Sequence, residues 1–427
     1  MILEKIKLNK NSIFFSCLVA SIITLPFSIK INTVCIILLV VAWLFKNSLH
    51  EKIKLLNNPT FFLFSALYFL YVLGMFWTNN IQHGFFELEK KFALFLFPLI
   101  FFSIPPLKDS ERNKIFFFFV LSCALLAIVC LFYASYRTYS ANSFFEINAE
   151  SGYVTHYFFY FGLSEAFIHP VYFSAYIVFS LVILFNYYSS SKELLVTKKR
   201  VLIVFLILFF IGFLCLLSSR IMIVYLSICS VCYFLYLLIK RKSSKGRVIL
   251  GFFVLVSMLL AVIYVPAIRS RFSEIVSSSY RFENNPENNK NLSGKLDGVE
   301  MKLAQWYFTV QAGKNNKLIG VGTGDDEDEL QKKYFENNFM EGYVPRYNSH
   351  NQWFQTWLAL GFLGLSVLVA TFLFPLFNTI KQKQFLYLFF LALIMFFFLT
   401  ESVLCRQHGV VFYSFFNSLF ATSFLRK

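Results

Sequence analysis

The chain has 427 residues, of which 58% are hydrophobic, 20% aromatic and only 15% charged, with a mean hydropathy of +0.63. A soluble globular protein carries about 25% charged residues, so this chain has too few to wet a surface. Disorder, a nucleic-acid module and a small disulfide scaffold are excluded by the same figures, and an all-α polytopic membrane protein is what remains.

A helix needs about 20 apolar residues to cross a bilayer core. The sequence offers twelve apolar runs, at 12–29, 31–45, 60–77, 92–104, 115–134, 169–188, 201–217, 220–239, 248–265, 351–378, 385–399 and 408–425, of which the second, fourth and eleventh are short. They predict about 12 transmembrane helices. No small-residue cleavage site follows the first run, so it does not read as a signal peptide. The cysteines lie in or at the edge of apolar runs, and Cys229-x-x-Cys232 sits inside one of them without a second ligand pair.

Basic residues set the orientation. With a cytoplasmic N-terminus, the inner segments hold 22 of the 39 Lys and Arg residues and the short outer segments only 6. The positive-inside rule therefore places both termini in the cytoplasm. Only 5 of the 23 acidic residues fall inside, so the net charge of +16 is a signature of topology and needs no nucleic-acid partner.

Two outer segments are long, 135–168 and 266–350. The expected organisation is helices 1–9 over residues 1–265, an outer loop domain over 266–350, and helices 10–12 over 351–427. Within the loop, helices are expected around Val299–Ala312 and Asp326–Asn337, separated by a glycine turn at Gly320–Gly324. That turn lacks the lysine and the strand–loop–helix setting of a nucleotide-binding loop and reads as a close-packing element. The acidic run Asp325–Glu329 could hold a divalent ion or simply open a helix.

Ionisable groups at membrane depth are costly and tend to face a cavity or the bundle interior. The candidates cluster at the outer level: Arg220 between the seventh and eighth runs, His169 opening the sixth, Arg346 and His350 before the tenth, and Glu401 and Arg406 between the last two. With Ser349 or Asn348 as N-cap, His350 would occupy a first helical turn, where the positive dipole end favours the neutral ring and a role as general base. Each candidate also has a bland reading: Arg220 as a snorkelling anchor, His350 as an interfacial residue beside Trp353 and Trp357, and Glu401 paired with Arg406.

Residues 318–325, LIGVGTGD, and 349–365, SHNQWFQTWLALGFLGL, together with Ser218-Ser219-Arg220, resemble the O-antigen ligase-like membrane proteins, which include polysaccharide polymerases. The resemblance implies a metal-independent, inverting glycosyltransferase without cofactor, at the periplasmic face of the bacterial inner membrane. It would move a glycan from undecaprenyl diphosphate to a sugar hydroxyl of lipid A–core. It makes His350 the base and Arg220 a diphosphate ligand, and expects a second cation, for which Lys302, Arg269 and Arg271 are candidates. His169, Arg346, Glu401 and Arg406 would support them. The expectation is that His350 and Arg220 meet at one outward-facing cavity. A polymerase using the same donor is the near alternative; a transporter of lipid-linked glycan is the distant one, and it predicts internal repeats and broken helices.

Overall fold

The structure is a computed structural model that describes residues 10–147, 154–190, 197–239, isolated positions between 249 and 273, and 296–425. Among these residues five helices are long and apolar enough to cross a membrane: Pro59–Trp77, Asp109–Ala141, Pro170–Ser189, Lys198–Leu217 and Gln352–Lys381. A sixth is added if Ile29–Leu44 and Leu49–Leu56 form one span. Other predicted runs fall on shorter apolar helices such as Lys10–Thr24, Arg220–Leu235 and Phe385–Thr400. The run 248–265 and Arg271 lie largely or wholly outside the described residues.

The chain forms two compact units, and neither is contiguous in sequence. Unit 1 comprises Met1–Ser48 and Leu107–Phe272; unit 2 comprises Leu49–Pro106 and Ser273–Lys427.

In unit 1, α1 (Lys10–Thr24) and α2 (Ile29–Leu44) form a hairpin. It is closed by the buried Asn32, whose amide donates to Ser21 O and to Thr24 Oγ1 at 2.5 and 3.1 Å. α7 (Asp109–Ala141) has 33 residues, about 50 Å at 1.5 Å per residue. Glu111 opens it by accepting from the Lys108 N–H at 2.8 Å, and Asn142, at φ 48°, caps its end. The predicted outer segment 135–168 is therefore helical at its start. It continues as an antiparallel hairpin, β1 (Phe145–Ile147) with β2 (Val154–His156), and a short helix, Phe161–Ser164. α9 (Pro170–Ser190) is the best buried of the candidate spans, and α10 (Thr197–Leu217) and α11 (Arg220–Ile239) pack on it.

In unit 2, α4 (Pro59–Gly74) and α6 (Ala93–Phe102) pack together, and α17 (Gln407–Ala421) lies against α6 with thirteen buried residues. α12 (Gly298–Gly313) and α13 (Asp326–Glu336) lie within one or two residues of their predicted positions. α12 is capped by Asp297, whose Oδ1 accepts from Val299 and Glu300 at 2.8 and 3.0 Å. Phe308, Leu330, Tyr334, Phe339 and Leu358 bury an apolar core beneath these two helices.

α15 (Gln352–Lys381) was expected as one continuous span. It breaks at Gly361, at φ 62° and ψ −161°. The break frees the Leu358 and Ala359 carbonyls and the Phe362 and Leu363 amides, which would otherwise bond each other in helical i to i+4 fashion. The glycine segment takes up all four: Val321 and Gly322 donate to the two carbonyls at 2.9 and 3.1 Å, and Phe362 and Leu363 donate to Lys317 and Leu318 O at 2.8 and 3.1 Å. No side chain fits between the two backbones. A Cβ on Gly320 (φ 74°) would stand 2.3 Å from Ala359 C, and one on Gly361 would stand 2.3 Å from Leu318 C. The straight helix therefore starts at Phe362, and Gln352–Leu360 is a separate half-helix.

Gly320→Ala and Gly361→Ala should each cost about 2 kcal/mol or more, since both strain φ and force backbones apart. Gly212→Ala, in α10 with nothing within 4 Å of its Cβ position, should be neutral or stabilising. Thermal melts in detergent read both, and a Gly320→Ala melt equal to that of the parent would show that the splice is dispensable.

Candidate active site

The half-helix of α15 begins two or three residues later than expected. Asn351, not Ser349 or Asn348, is its N-cap, accepting from the Trp353 and Phe354 amides at 3.0 and 3.2 Å. His350 thus lies outside the helix, at φ 44°, and the expected dipole effect of a first-turn position does not apply. A left-handed backbone on a residue other than glycine costs on the order of 1 kcal/mol and persists where the surroundings over-determine it. Here the His350 N–H donates to Asn348 Oδ1 at 3.0 Å, and the ring lies edge-on to Tyr347.

The His350 ring faces a carboxylate. Its Nδ1 is 3.2 Å from Glu401 Oε2, on the segment that links α16 (Phe385–Thr400) to α17. Lys302, on α12, approaches the other carboxylate oxygen at 3.7 Å and donates to Thr400 O at 2.7 Å. Glu401 is mostly buried and the other two are about one-third exposed. The 399–404 segment is stitched to the half-helix: Asn351 donates to Leu399 O at 3.2 Å, and Leu404 N–H donates to Gln352 Oε1 at 2.7 Å. An imidazole, a carboxylate and an ammonium thus come together from residues 350, 401 and 302.

The acidic run after the glycine turn is distributed over protein partners. Asp325 accepts from the Asn79 and Asn80 amides, at 2.8 and 2.7 Å. Glu327 and Asp328 pair with Arg346 at 2.9 and 3.3 Å, and Glu327 also approaches His83 at 3.6 Å. Arg346, expected to support the site, is bound into this pairing. Asp326 is buried and accepts from Gln355 Nε2 at 2.7 Å, while its Oδ1 has no hydrogen-bond partner. Among the described residues no cluster of three or more His, Cys, Asp or Glu has metal-binding geometry.

Beside Asp326 in unit 2 lies a buried ion pair on α5 (Ile81–Lys91), in which Glu87 takes both Lys90 and Lys91. Burial alone would raise the Glu87 carboxyl, but Lys91 and Lys90 hold it down at about 2. Asp326 goes the other way: burial first, then the Glu87 charge, push it up to about 6, against the smaller pull of Lys91, the Gln355 hydrogen bond and His83.

Of the remaining candidates, Arg220, His169 and Arg269 lie in unit 1. Arg220 opens α11, separated from α10 only by Ser218, at φ 50°, and Ser219, whose carbonyl accepts the Ile223 amide at 3.0 Å. His169 precedes α9, where its Nδ1 accepts from the Val171 amide at 3.4 Å and its ring meets Phe161 and Tyr172, a capping role. Arg269 is exposed. Arg406, in unit 2, is exposed and precedes α17.

Residues 202–369 match the family model for O-antigen ligase. This stretch is similar to the O-antigen ligase family. It includes Arg220, Lys302, Asp326, His350 and Gln355, and ends within α15, so Glu401 lies beyond the matched part. The match supports a ligase- or polymerase-type function in general terms, and the apolar helices fit a multi-pass membrane protein. No curated protein matches the chain.

Sequence reasoning placed His350, Glu401 and Lys302 but missed Gln355 and Asp326 as neighbours of the site. One signal was present: Gln352, Gln355 and Thr356 put polar groups at i, i+3 and i+4 inside an apolar run, and all three are buried.

The sign of the Asp326 shift sets a prediction. Its folded value, about 6, is above the 3.8 of an ordinary Asp, so the folded state binds the proton more tightly. The cost of ionising it in the fold is absent below about pH 4 and complete above about pH 6. The melting temperature of Asp326→Asn relative to the parent should therefore rise between about pH 4 and pH 7. A difference that stays flat or falls over this range would contradict the assignment.

Proposed function

We propose that the protein is a glycosyltransferase of the O-antigen ligase type, carrying a glycan from undecaprenyl diphosphate to a sugar hydroxyl of lipid A–core at the periplasmic face of the inner membrane. The single observation that carries the reading is His350 held against Glu401 beside Lys302. A ring whose Nδ1–H donates to a carboxylate presents the Nε2 lone pair as a base.

In the step we envisage, Nε2 takes the proton of the acceptor hydroxyl as its oxygen attacks the anomeric carbon. The bond from that carbon to the phosphate oxygen breaks, its electron pair leaves on the diphosphate, and the centre inverts. Glu401 keeps the ring oriented and stabilises the imidazolium as it forms. A diphosphate is already a good leaving group, so cationic side chains suffice to balance its charge, and no metal or cofactor is invoked. Lys302, beside Glu401, is the candidate the geometry offers; Arg220, Arg269 and Arg271 are the cations that the sequence resemblance proposes. Lysine acts here as a point charge without the bidentate fork of arginine.

The helix break at Gly361 bears on the transport alternative. A transporter's interrupted helix turns freed backbone groups and helix ends toward its substrate or ion. Here the four freed groups at 358–363 are hydrogen-bonded by residues 317–322, which favours a structural splice over a translocation site.

With protein in liposomes, undecaprenyl-diphosphate glycan and rough lipopolysaccharide, we expect transfer that survives chelator. His350→Ala should lose about 10²–10⁴-fold in rate, the range for removing a general base. Glu401→Gln and Lys302→Ala should lose less. Full transfer by His350→Ala would remove the proposed base. Chain growth without the core acceptor would identify a polymerase, and glycan crossing the bilayer without a new bond would identify a transporter.

A further inference from the structure

The loop that carries His350 is held from behind by a chain of buried side chains. Asp326 Oδ2 accepts from Gln355 Nε2 at 2.7 Å, and Gln355 Oε1 accepts from the Ser349 N–H at 3.1 Å and from Ser349 Oγ at 2.8 Å. Ser349 Oγ lies 3.1 Å from Ser402 Oγ and 2.9 Å from Asn351 O. Ser349 precedes His350 and Ser402 follows Glu401, so this chain grips both partners of the proposed base from the residues next to them. All four links are nearly sealed from solvent, with Ser349 at 0%, Gln355 and Ser402 at 3% and Asp326 at 5% exposure.

The chemistry leaves one orientation for the glutamine. An ionised carboxylate can only accept and a backbone N–H can only donate, so the amide nitrogen must face Asp326 and its oxygen must face Ser349. Asp326 is itself held in place: it begins α13 directly after the glycine turn and lies in the field of the Glu87–Lys91 pair and His83. His350 needs such a grip because its backbone sits at φ 44°. A side chain that lets Ser349 move would let this strained residue relax and carry the ring away from Glu401.

We propose that Gln355 is a positioning residue: anchored on the buried Asp326 carboxylate, it fixes Ser349 and, through Ser402, the two segments that present His350 and Glu401 to each other. The proposal rests on His350 being the base of the transfer described above. It gives Asp326 a role as an anchor, distinct from metal binding.

The test uses full-length protein in liposomes with the same donor and acceptor. It adds a readout independent of turnover, the rate at which diethyl pyrocarbonate modifies His350, measured by mass spectrometry. Gln355→Leu should lower kcat by about 10–100-fold, the cost of a misplaced catalytic group, with a smaller change in donor KM. His350 should be modified faster in the same variant. Gln355→Glu keeps the acceptor toward Ser349 but sets two carboxyl groups together, and should also lose activity. Adding Asp326→Asn to it swaps amide and carboxylate across the 2.7 Å contact, and should restore both kcat and the parental modification rate. Because that pair is compared at constant size, it decides the matter even if Gln355→Leu does not fold. Parental kcat and modification rate in Gln355→Leu, or a folded double variant that restores neither, would overturn the proposal. If His350→Ala retains transfer, the reading of the base fails instead, while the modification rates still report whether Gln355 holds the ring.

Discussion

The glycine segment 317–322 completes the hydrogen bonding of a broken helix, and the geometry of unit 2 depends on that exchange. Freed backbone groups inside an apolar protein must find partners, because each unsatisfied one costs several kcal/mol in a medium without water. The four groups released at Gly361 find them in a second stretch of main chain. Only glycine lets two backbones come so close, which is why Gly320 and Gly361 face each other's chain.

That splice sets two directions at once. It ends with Gly324 packed against Asn80 and Gly84, so that Asp325 caps the 79–80 turn and Asp326 starts its helix pointing inward. It also tilts off the half-helix Gln352–Leu360, whose buried face presents Gln355 to Asp326 and whose capped start presents His350 to Glu401. A segment anchored at the start of a short, tethered half-helix is held more firmly than an open loop, and this suits the role proposed for His350.

The electrostatics of unit 2 place opposite demands on neighbouring carboxyl groups. Glu87 is ionised at a cost that two lysines offset, whereas Asp326, with one oxygen unpartnered, resists ionisation. The carboxylates from 325 to 328 are divided among protein partners: Asp325 takes the 79–80 amides, Asp326 takes Gln355, and Glu327 and Asp328 share Arg346.

Much of this was legible in the sequence. Low charge and long apolar runs dictated a helical membrane protein, and the stretches on either side of the glycine turn were legible as α12 and α13 to within a residue or two, because helical patterning is local. His350 and Glu401 could be singled out because ionisable residues beside apolar runs are rare, and Lys302 because the resemblance expects a second cation. Three things could not be read. Residues 49–106 and 273–427 group into one compact unit, and packing between distant helices leaves no local trace in the sequence. The break at Gly361 was hidden because glycine is tolerated in a membrane helix and its partner lies some forty residues away. The pairing of His350 with Glu401, 51 residues apart, likewise followed from backbone geometry: the sequence determined which groups could do chemistry, and the tertiary structure alone decided which of them face each other.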